Sequence, residues 1–360
     1  MKKEELKLEI DRIRDSVGTL LEIRGVYYDG QNITILGSPW FPMEDWKDDV
    51  TRRLSEIGYT VRFDQNGTQT IMELSRIGKV VKPSLPWVNI VLFILTVLTT
   101  FATGAFMENQ DISKNPFLIY RGATFAVPLL LILLFHEFGH YIMSRKSRIK
   151  VSLPYFIPGI PGLNILGTFG AIIRSKAPFK NRKELLDVGA TGPIAGFVVS
   201  VIALALGLAT SQVVKAIPNQ GLMLGDSLAF KLVSWLVMKE VPSGYDTLLS
   251  PMAFAGWAGL LVTMLNLLPI GQLDGGHIAY ALFGKRQRLI ARIIVLSLIP
   301  LGIFLWQGWL IWLVLAFIVR IPHPPTLNDA VPLDNKRKVV GWISLIIFIL
   351  CFSPAPIRLH

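Results

Sequence analysis

The residues best suited to chemistry are two histidines and a glutamate inside an apolar stretch. The segment 136–140 reads HEFGH, and Glu137 is the only formal charge between Arg121 and Arg145. On a helix, side chains at i and i+4 lie one turn apart on the same face, so His136 and His140 can bind one metal ion. Glu137 then lies beside the open position of the ion, where it can take a proton from water. The pattern predicts a zinc-dependent hydrolase.

A zinc site of this kind needs a third protein ligand, and the chain has few candidates. Asp274 is the first charged residue after the uncharged residues 247–273 and is predicted as that ligand; the alternative is that it turns the chain at Asp-Gly-Gly. His277 follows closely, and either orients the Asp274 carboxylate or has a structural role. His323 lies in the proline-rich segment IPHPPT and is interpreted as a loop residue, not a ligand.

The elements that carry these residues have the composition of a membrane protein. Hydrophobic residues make up 52% of the 360, charged residues 17%, and the mean hydropathy is +0.50, whereas soluble domains have about 25% charged residues. A carboxylate and two imidazoles are costly in an apolar span, which favours a functional site over simple helix packing. The net charge of +11 does not indicate nucleic-acid binding, because residues 1–82 hold 13 Lys or Arg and 14 Asp or Glu. The basic excess therefore lies among the apolar segments, as in membrane proteins with basic loops.

The predicted fold is a polytopic membrane bundle of α-helices preceded by a small soluble α+β domain. Six or seven transmembrane helices are expected, depending on whether the run 285–322 forms one helix or two. The apolar segments are 83–107, 121–143, 188–214, 247–273, 285–322 and 339–354. Lys and Arg accumulate in the loop 144–184, so this loop, the N-terminus and the active site are predicted to face the cytoplasm.

Three domains are expected along the chain. Residues 1–82 form a cytoplasmic α+β domain with the order helix, hairpin, helix, hairpin, in which Asp29-Gly30 and Asn66-Gly67 mark the turns. Residues 83–290 form the metalloprotease core, and residues 291–360 form C-terminal transmembrane helices. A single cysteine, Cys351, excludes an internal disulfide framework.

Two motifs together resemble the site-2 protease family of intramembrane zinc metalloproteases. HEFGH at 136–140 is followed by NLLPIGQLDGGH at 266–277, and the resemblance covers residues 85–290. GTFGA at 167–171 and GPIAG at 192–196 are similar to elements of the prokaryotic and plastid branch of this family. The resemblance implies one Zn²⁺ per chain, held by His136, His140 and Asp274, with Glu137 as the catalytic base. It also implies that Asn266 contacts the substrate or the transition state.

The implied activity is hydrolysis of a peptide bond within or near a transmembrane segment of a membrane protein, as in regulated intramembrane proteolysis. The expected partners are that substrate and the lipid bilayer, without nucleic acid, and no sequence feature specifies an oligomeric state. A substrate helix must unwind locally before it can be cut, and backbone groups can unpair only inside protein or near water.

The stretch 163–175 is predicted to supply a strand or hairpin close to the site. Its β-branched residues and glycines favour an edge that pairs with the unwound peptide; the alternative is a loop that only covers the site. The predicted substrate contacts are Gly167, Thr168, Phe169 and Gly170. Gly192 and Gly196 lie on one helical face and are interpreted as a surface that lets another helix approach closely. Residues 221–239 are interpreted as an amphipathic helix on the outer side.

Two other functions compete with the protease. A metal-ion transporter could use His136, Glu137, His140 and Asp274 along its pathway, although such proteins more often have internal repeats, and this sequence contains no recognisable repeat. A non-catalytic relative could keep the fold as a binding module, but the presence of Glu137 argues against it.

Overall fold

A computed structural model gives the fold of this chain. It describes residues 3–28, 32–66, 69–76, 86–112, 114–149, 151–160, 164–173, 179–215, 222–238, 241–319, 321–326, 328–329 and 331–359. The predicted turn at Asp29-Gly30, and Gly67 of the second turn, lie outside these residues. The chain divides into two compact units, and the first comprises Met1–Lys82, Ala177–Asn181 and Pro325–Ala330.

The first unit contains the predicted α+β module. Its elements are α1 (Lys3–Val17), β1 (Leu21–Tyr28), β2 (Asn32–Pro39), α2 (Met43–Glu56), β3 (Tyr59–Asn66) and β4 (Gln69–Arg76). The strands form one antiparallel sheet in the order β1-β2-β4-β3. Alternate strand residues such as Ile33 and Ile35 are buried in one core with Trp46, Val50 and Leu54, which recur every four residues along α2.

The second unit is mainly helical. Its helices are α3 (Pro86–Met107), α4 (Ala123–Lys146), α5 (Arg182–Ala209), α6 (Leu228–Val237), α7 (Pro251–Asn266), α8 (Asp274–Phe283), α9 (Gln287–Phe304), α10 (Gly308–Val319) and α11 (Asn335–Cys351). Within the described ranges, four helical segments are long and apolar enough to cross a membrane: Trp87–Met107, Pro116–Lys146, Arg182–Ala209 and Asp274–Phe304.

The expected count of six or seven spans is therefore not confirmed. Three predicted spans contain helices that are shorter than the roughly 20 residues that a membrane-spanning helix needs. Helix α7 ends at Asn266, before Pro269, and is 16 residues long; α10 has 12 residues and α11 has 17. The run 285–322 forms two helices, α9 and α10, that are separated near Gln307-Gly308.

The described residues of the second unit also form three two-stranded antiparallel sheets. The predicted strand in 163–175 is β6 (Thr168–Ile172), and it pairs with β5 (Tyr155–Pro158). Two further pairs were not predicted: β7 (Gln212–Lys215) with β9 (Tyr245–Leu248), and β8 (Leu222–Leu224) with β10 (Ile357–Leu359). Strand β8 takes the first part of the predicted amphipathic helix 221–239, so the helix that remains, α6, begins only at Leu228.

Helix α5 packs closely against its neighbours through small residues. A Cβ atom at Gly256 of α7 would overlap the backbone of Leu204 on α5, and a Cβ at Gly207 of α5 would overlap the backbone of Ala253 on α7. Such short backbone separations are typical of membrane helices, whose association depends on van der Waals contact. Helix α5 is thereby held between α4 and α7.

An ion pair joins α11 to the first turns of α5. The Arg337 guanidinium donates from Nε to Oδ1 of Asp187 at 2.9 Å and from Nη2 to Oδ2 at 2.7 Å. Asp334, the N-cap of α11, also accepts a hydrogen bond from Arg337. These two carboxylates raise the pKa of Arg337 further above its usual range. The bidentate geometry fixes orientation as well as charge.

Replacement of Arg337 by lysine should weaken the α5–α11 contact. Lysine keeps the charge but cannot form the paired hydrogen bonds to Asp187. We expect a loss of about 1 kcal/mol, or about 2 °C in the thermal midpoint of the detergent-solubilised protein followed by tryptophan fluorescence. The neighbouring exposed variant Lys336→Met is the control, and an equal shift in both variants would contradict the assignment.

Candidate metal centre

Three side chains from two helices converge on one point of the second unit. Nε2 of His136 and Nε2 of His140 on α4 are 3.1 Å apart, and each lies 3.3 Å from Oδ2 of Asp274 at the start of α8. The histidines are buried, and the Asp274 side chain is 16% exposed. The structure thus brings together the three predicted ligand residues, although Asp274 is far from the two histidines in the chain.

The donor set fits a zinc ion. Zinc takes imidazole nitrogen and carboxylate oxygen at about 2.0–2.2 Å, and tetrahedral angles then keep ligand atoms about 3.3 Å apart. The three observed separations of 3.1–3.3 Å agree with this spacing. Three protein ligands leave one position of the tetrahedron open, as in catalytic zinc sites.

The backbone of α5 orients His140. Nδ1 of His140 lies 2.8 Å from the carbonyl oxygen of Val188, which can only accept a hydrogen bond. Nδ1 therefore carries the proton, and Nε2 is left with a lone pair that faces His136 and Asp274. Metal-binding histidines commonly donate their second ring N–H to a carbonyl or carboxylate in this way.

The GPIAG glycines give the two imidazoles their space. A Cβ atom at Gly192 would overlap the ring of His140, and a Cβ at Gly196 would lie 3.1 Å from Nδ1 of His136. On the other side of this contact, a Cβ at Gly139 of α4 would lie 2.8 Å from the backbone oxygen of Thr191. The predicted close approach of another helix at Gly192 and Gly196 is confirmed, and that helix is α4.

Glu137 is also buried, with 5% of its surface exposed. It lies beside His136 on α4 and interacts electrostatically with His136, His140 and Asp274. The predicted general base is therefore buried next to the first predicted ligand residue, in the same helix.

Asn266 is the last residue of α7, and its amide nitrogen lies 3.2 Å from Nε2 of His136. The amide therefore borders the ligand group, where it can form a hydrogen bond with a bound molecule. The irregular segment that follows, residues 267–273, leads to Asp274 and is called the metal loop below. A Cβ atom at Gly275 would overlap the carbonyl of Leu267, and one at Gly276 would overlap that of Gly271, so only glycines let α8 start so close to this loop.

The other predicted substrate residues lie in the β5–β6 hairpin, which α3 holds. Thr99 of α3 donates a hydrogen bond to the carbonyl of Gly167 at 2.7 Å, and Asn89 donates to the carbonyls of Leu153 and Pro154 at 3.0 Å. Thr168 is buried, whereas Phe169 is 67% exposed. Gly167 and Gly170 have φ angles of +66° and +92°, which favour glycine. Within the described part of the chain, no hydrogen bond or ion pair joins Gly167–Gly170 to the three ligand residues.

Sequence reasoning missed several residues around the site. The Val188 carbonyl is a backbone group, and no side-chain pattern could have revealed it. His323 is in a loop, as predicted, but it is buried, and its Nε2 lies 2.6 Å from Nδ1 of His277. Gln287 is 1% exposed and bonds the metal loop. For His323 and Gln287, the sequence signal was that each is a polar residue next to apolar segments.

A methyl group at Gly192 should disturb the site directly. Alanine is a better helix former than glycine, so any loss in Gly192→Ala must come from the collision with the His140 ring. We expect zinc affinity, measured by competition with a chromogenic chelator, to fall by at least about tenfold. Val198→Ala, at an exposed position of the same helix, is the control, and wild-type affinity in Gly192→Ala would refute the proposed ring contact.

Comparison with known protein families gives a match over the part of the chain that contains these residues. The profile of peptidase family M50 matches residues 124–305, which is half of the chain and includes His136, Glu137, His140, Asn266 and Asp274.

Three plant proteins are among the relatives of this chain. The Arabidopsis thaliana protein named "Probable zinc metalloprotease EGY1, chloroplastic" is 34% identical over 249 residues, 66% of this chain and 44% of that protein. "Probable zinc metalloprotease EGY2, chloroplastic" of the same plant is 30% identical over 242 residues, 66% of this chain and 43% of that protein. "Probable zinc metalloprotease EGY3, chloroplastic" of Oryza sativa subsp. indica is 26% identical over 353 residues, 90% of this chain and 55% of that protein. The chain thus spans about half the length of these relatives. The region that matches the family profile contains both motifs. This match shows that the chain belongs to peptidase family M50, the site-2 protease family.

Proposed function

We propose that this chain is an intramembrane zinc metalloprotease that hydrolyses a peptide bond within or near a transmembrane segment of another membrane protein. The observation that carries the proposal is the group of two imidazoles and one carboxylate with zinc-ligand spacing, buried among apolar helices. Family membership and the names of the plant relatives support zinc metalloprotease activity.

In this proposal His136, His140 and Asp274 hold one zinc ion per chain. Zinc bound there supplies a Lewis acid at its open position, which lowers the pKa of water to near 7. Glu137 is the general base: its carboxylate takes a proton from the attacking water and returns it to the nitrogen of the departing amine. The Val188 carbonyl keeps His140 in the tautomer that this arrangement needs.

The substrate is a membrane protein whose helix unwinds next to the site. Strand β6 pairs with β5 along one edge, and its other edge is the candidate partner for the extended peptide. Thr168 and the glycines Gly167 and Gly170 shape this strand, and the exposed Phe169 ring contacts the substrate. The Asn266 amide, 3.2 Å from Nε2 of His136, holds the peptide carbonyl next to the ligand group.

The N-terminus and the active site face the cytoplasm in this proposal. The concentration of Lys and Arg in the loop 144–184, directly after α4, supports that orientation. Cleavage would then release the cytoplasmic part of the substrate, as in regulated intramembrane proteolysis.

Cleavage of a single-span membrane reporter in liposomes tests the function. We expect chelator-sensitive cutting by the wild-type chain. In Glu137→Gln, kcat should fall by about 10²–10⁴-fold because the proton acceptor is lost, while one zinc ion per chain is retained. Glu108→Gln is the matched control, because Glu108 bonds Thr124 outside the site, and it should cut as the wild type does.

Other outcomes would change the proposal. Unimpaired cutting by Glu137→Gln would remove Glu137 as the base, and cutting that survives zinc removal would exclude a zinc protease. Zinc that exchanges rapidly and crosses the bilayer, without cutting, would favour the metal-ion transporter.

A further inference from the structure

The position of Asp274 depends on a loop that is distant in sequence. Asp274 is the first residue of α8, a helix of only 10 residues, and it follows the irregular metal loop. Neither element can fix the Asp274 carboxylate alone, because a short helix end frays unless other groups bind it. The contacts that hold this helix end and the loop therefore help to determine the position of the Asp274 carboxylate.

The segment Ile321–Pro324 bonds the metal loop on one side. The amide of Gly271, which has a φ angle of +53°, donates to the carbonyl of Ile321 at 3.0 Å. Gln287, at the start of α9, connects the two segments: its Nε2 donates to the Pro269 carbonyl at 3.2 Å, and its Oε1 accepts from the His323 amide at 3.1 Å.

His323 also contacts α8 one turn after Asp274. Its Nδ1 faces the carbonyl of Pro324, which can only accept, so the ring carries its proton there. Nε2 of His323 is then an acceptor, and it accepts a hydrogen bond from the Nδ1–H group of His277 at 2.6 Å. The His323 ring also stacks on Tyr280, a second α8 residue, at a centroid distance of 4.7 Å.

Two of the side chains that form these contacts, those of Gln287 and His323, are buried. Gln287 is 1% exposed and His323 is 7% exposed, so a broken hydrogen bond would leave a buried polar group without water. His277 is confined from its other side, because a Cβ at Gly189 of α5 would lie 2.8 Å from the Cβ of His277. The segment thus holds the metal loop before Asp274 and helix α8 after it.

We propose that His323 and Gln287 are positioning residues that hold Asp274 in its ligand geometry, through the bonds of Ile321–Pro324 to the metal loop and to His277. This inference rests on the proposed zinc site. Neither residue touches the metal or the substrate in this arrangement; both act by fixing the carboxylate before zinc binds.

Zinc affinity of the full chain tests the inference, measured by chelator competition with zinc alone. We expect His323→Ala and Gln287→Met to bind zinc about tenfold more weakly, since outer partners of metal ligands have effects of this size. His323→Gln can keep an acceptor near the position of Nε2 and should recover most of the affinity. Ser297→Ala is the control on α9, where the hydroxyl donates to the Ile294 carbonyl of the same helix at 2.7 Å.

Two further readouts separate positioning from a general structural role. Hydrogen exchange of residues 267–274 in the zinc-free protein should accelerate in His323→Ala, while the thermal midpoint changes little. The losses in His277→Ala and His323→Ala should be less than additive in the double variant, because one bond joins the two rings.

Wild-type zinc affinity in both His323→Ala and Gln287→Met would overturn the inference. So would a loss that only parallels thermal destabilisation and that His323→Gln does not recover. Failure of the proposed protease activity is separate, because it would appear as the absence of Glu137-dependent cleavage while the zinc measurements still stand.

Discussion

The backbone contact between α4 and α5 is the constraint on which the metal centre depends. Gly139 allows α4 to approach Thr191 of α5, and Gly192 and Gly196 leave the space that the two imidazole rings occupy. At this distance the Val188 carbonyl reaches Nδ1 of His140. His140 is therefore oriented by a neighbouring helix backbone, which has fewer alternative positions than a side chain has.

Burial of these polar groups has an energetic consequence. His136, Glu137 and His140 are at most 8% exposed, so each needs a charged or hydrogen-bonding partner. Two imidazoles and the Asp274 carboxylate supply lone pairs to one point, which a divalent cation satisfies better than any arrangement of hydrogen bonds alone. The metal and the packing of the helices thus stabilise each other.

The irregular metal loop is tolerated in an apolar unit because protein surrounds its first five residues, 267–271. Leu267, Leu268 and Ile270 are each 1% exposed, and the loop's polar backbone groups bond Ile321 and Gln287. Non-helical backbone at membrane depth is stable only under such conditions. Helix α7 ends early, at Asn266, and is therefore shorter than a full span. The same early end places Asn266 and Asp274 beside His136.

The sequence by itself determined the short-range features of this protein. HExxH at helical spacing puts both imidazoles on one face, apolar runs specify helices, and Asp274 was the predicted third ligand because few other candidates exist. The α+β order of residues 1–82 followed from turn signals and periodicity. The tertiary structure alone decided the lengths of α7, α10 and α11, the β7–β9 and β8–β10 pairs, and the contacts of Val188, Gln287 and His323. These depend on backbone groups and on contacts between segments far apart in sequence, which periodicity and composition do not encode.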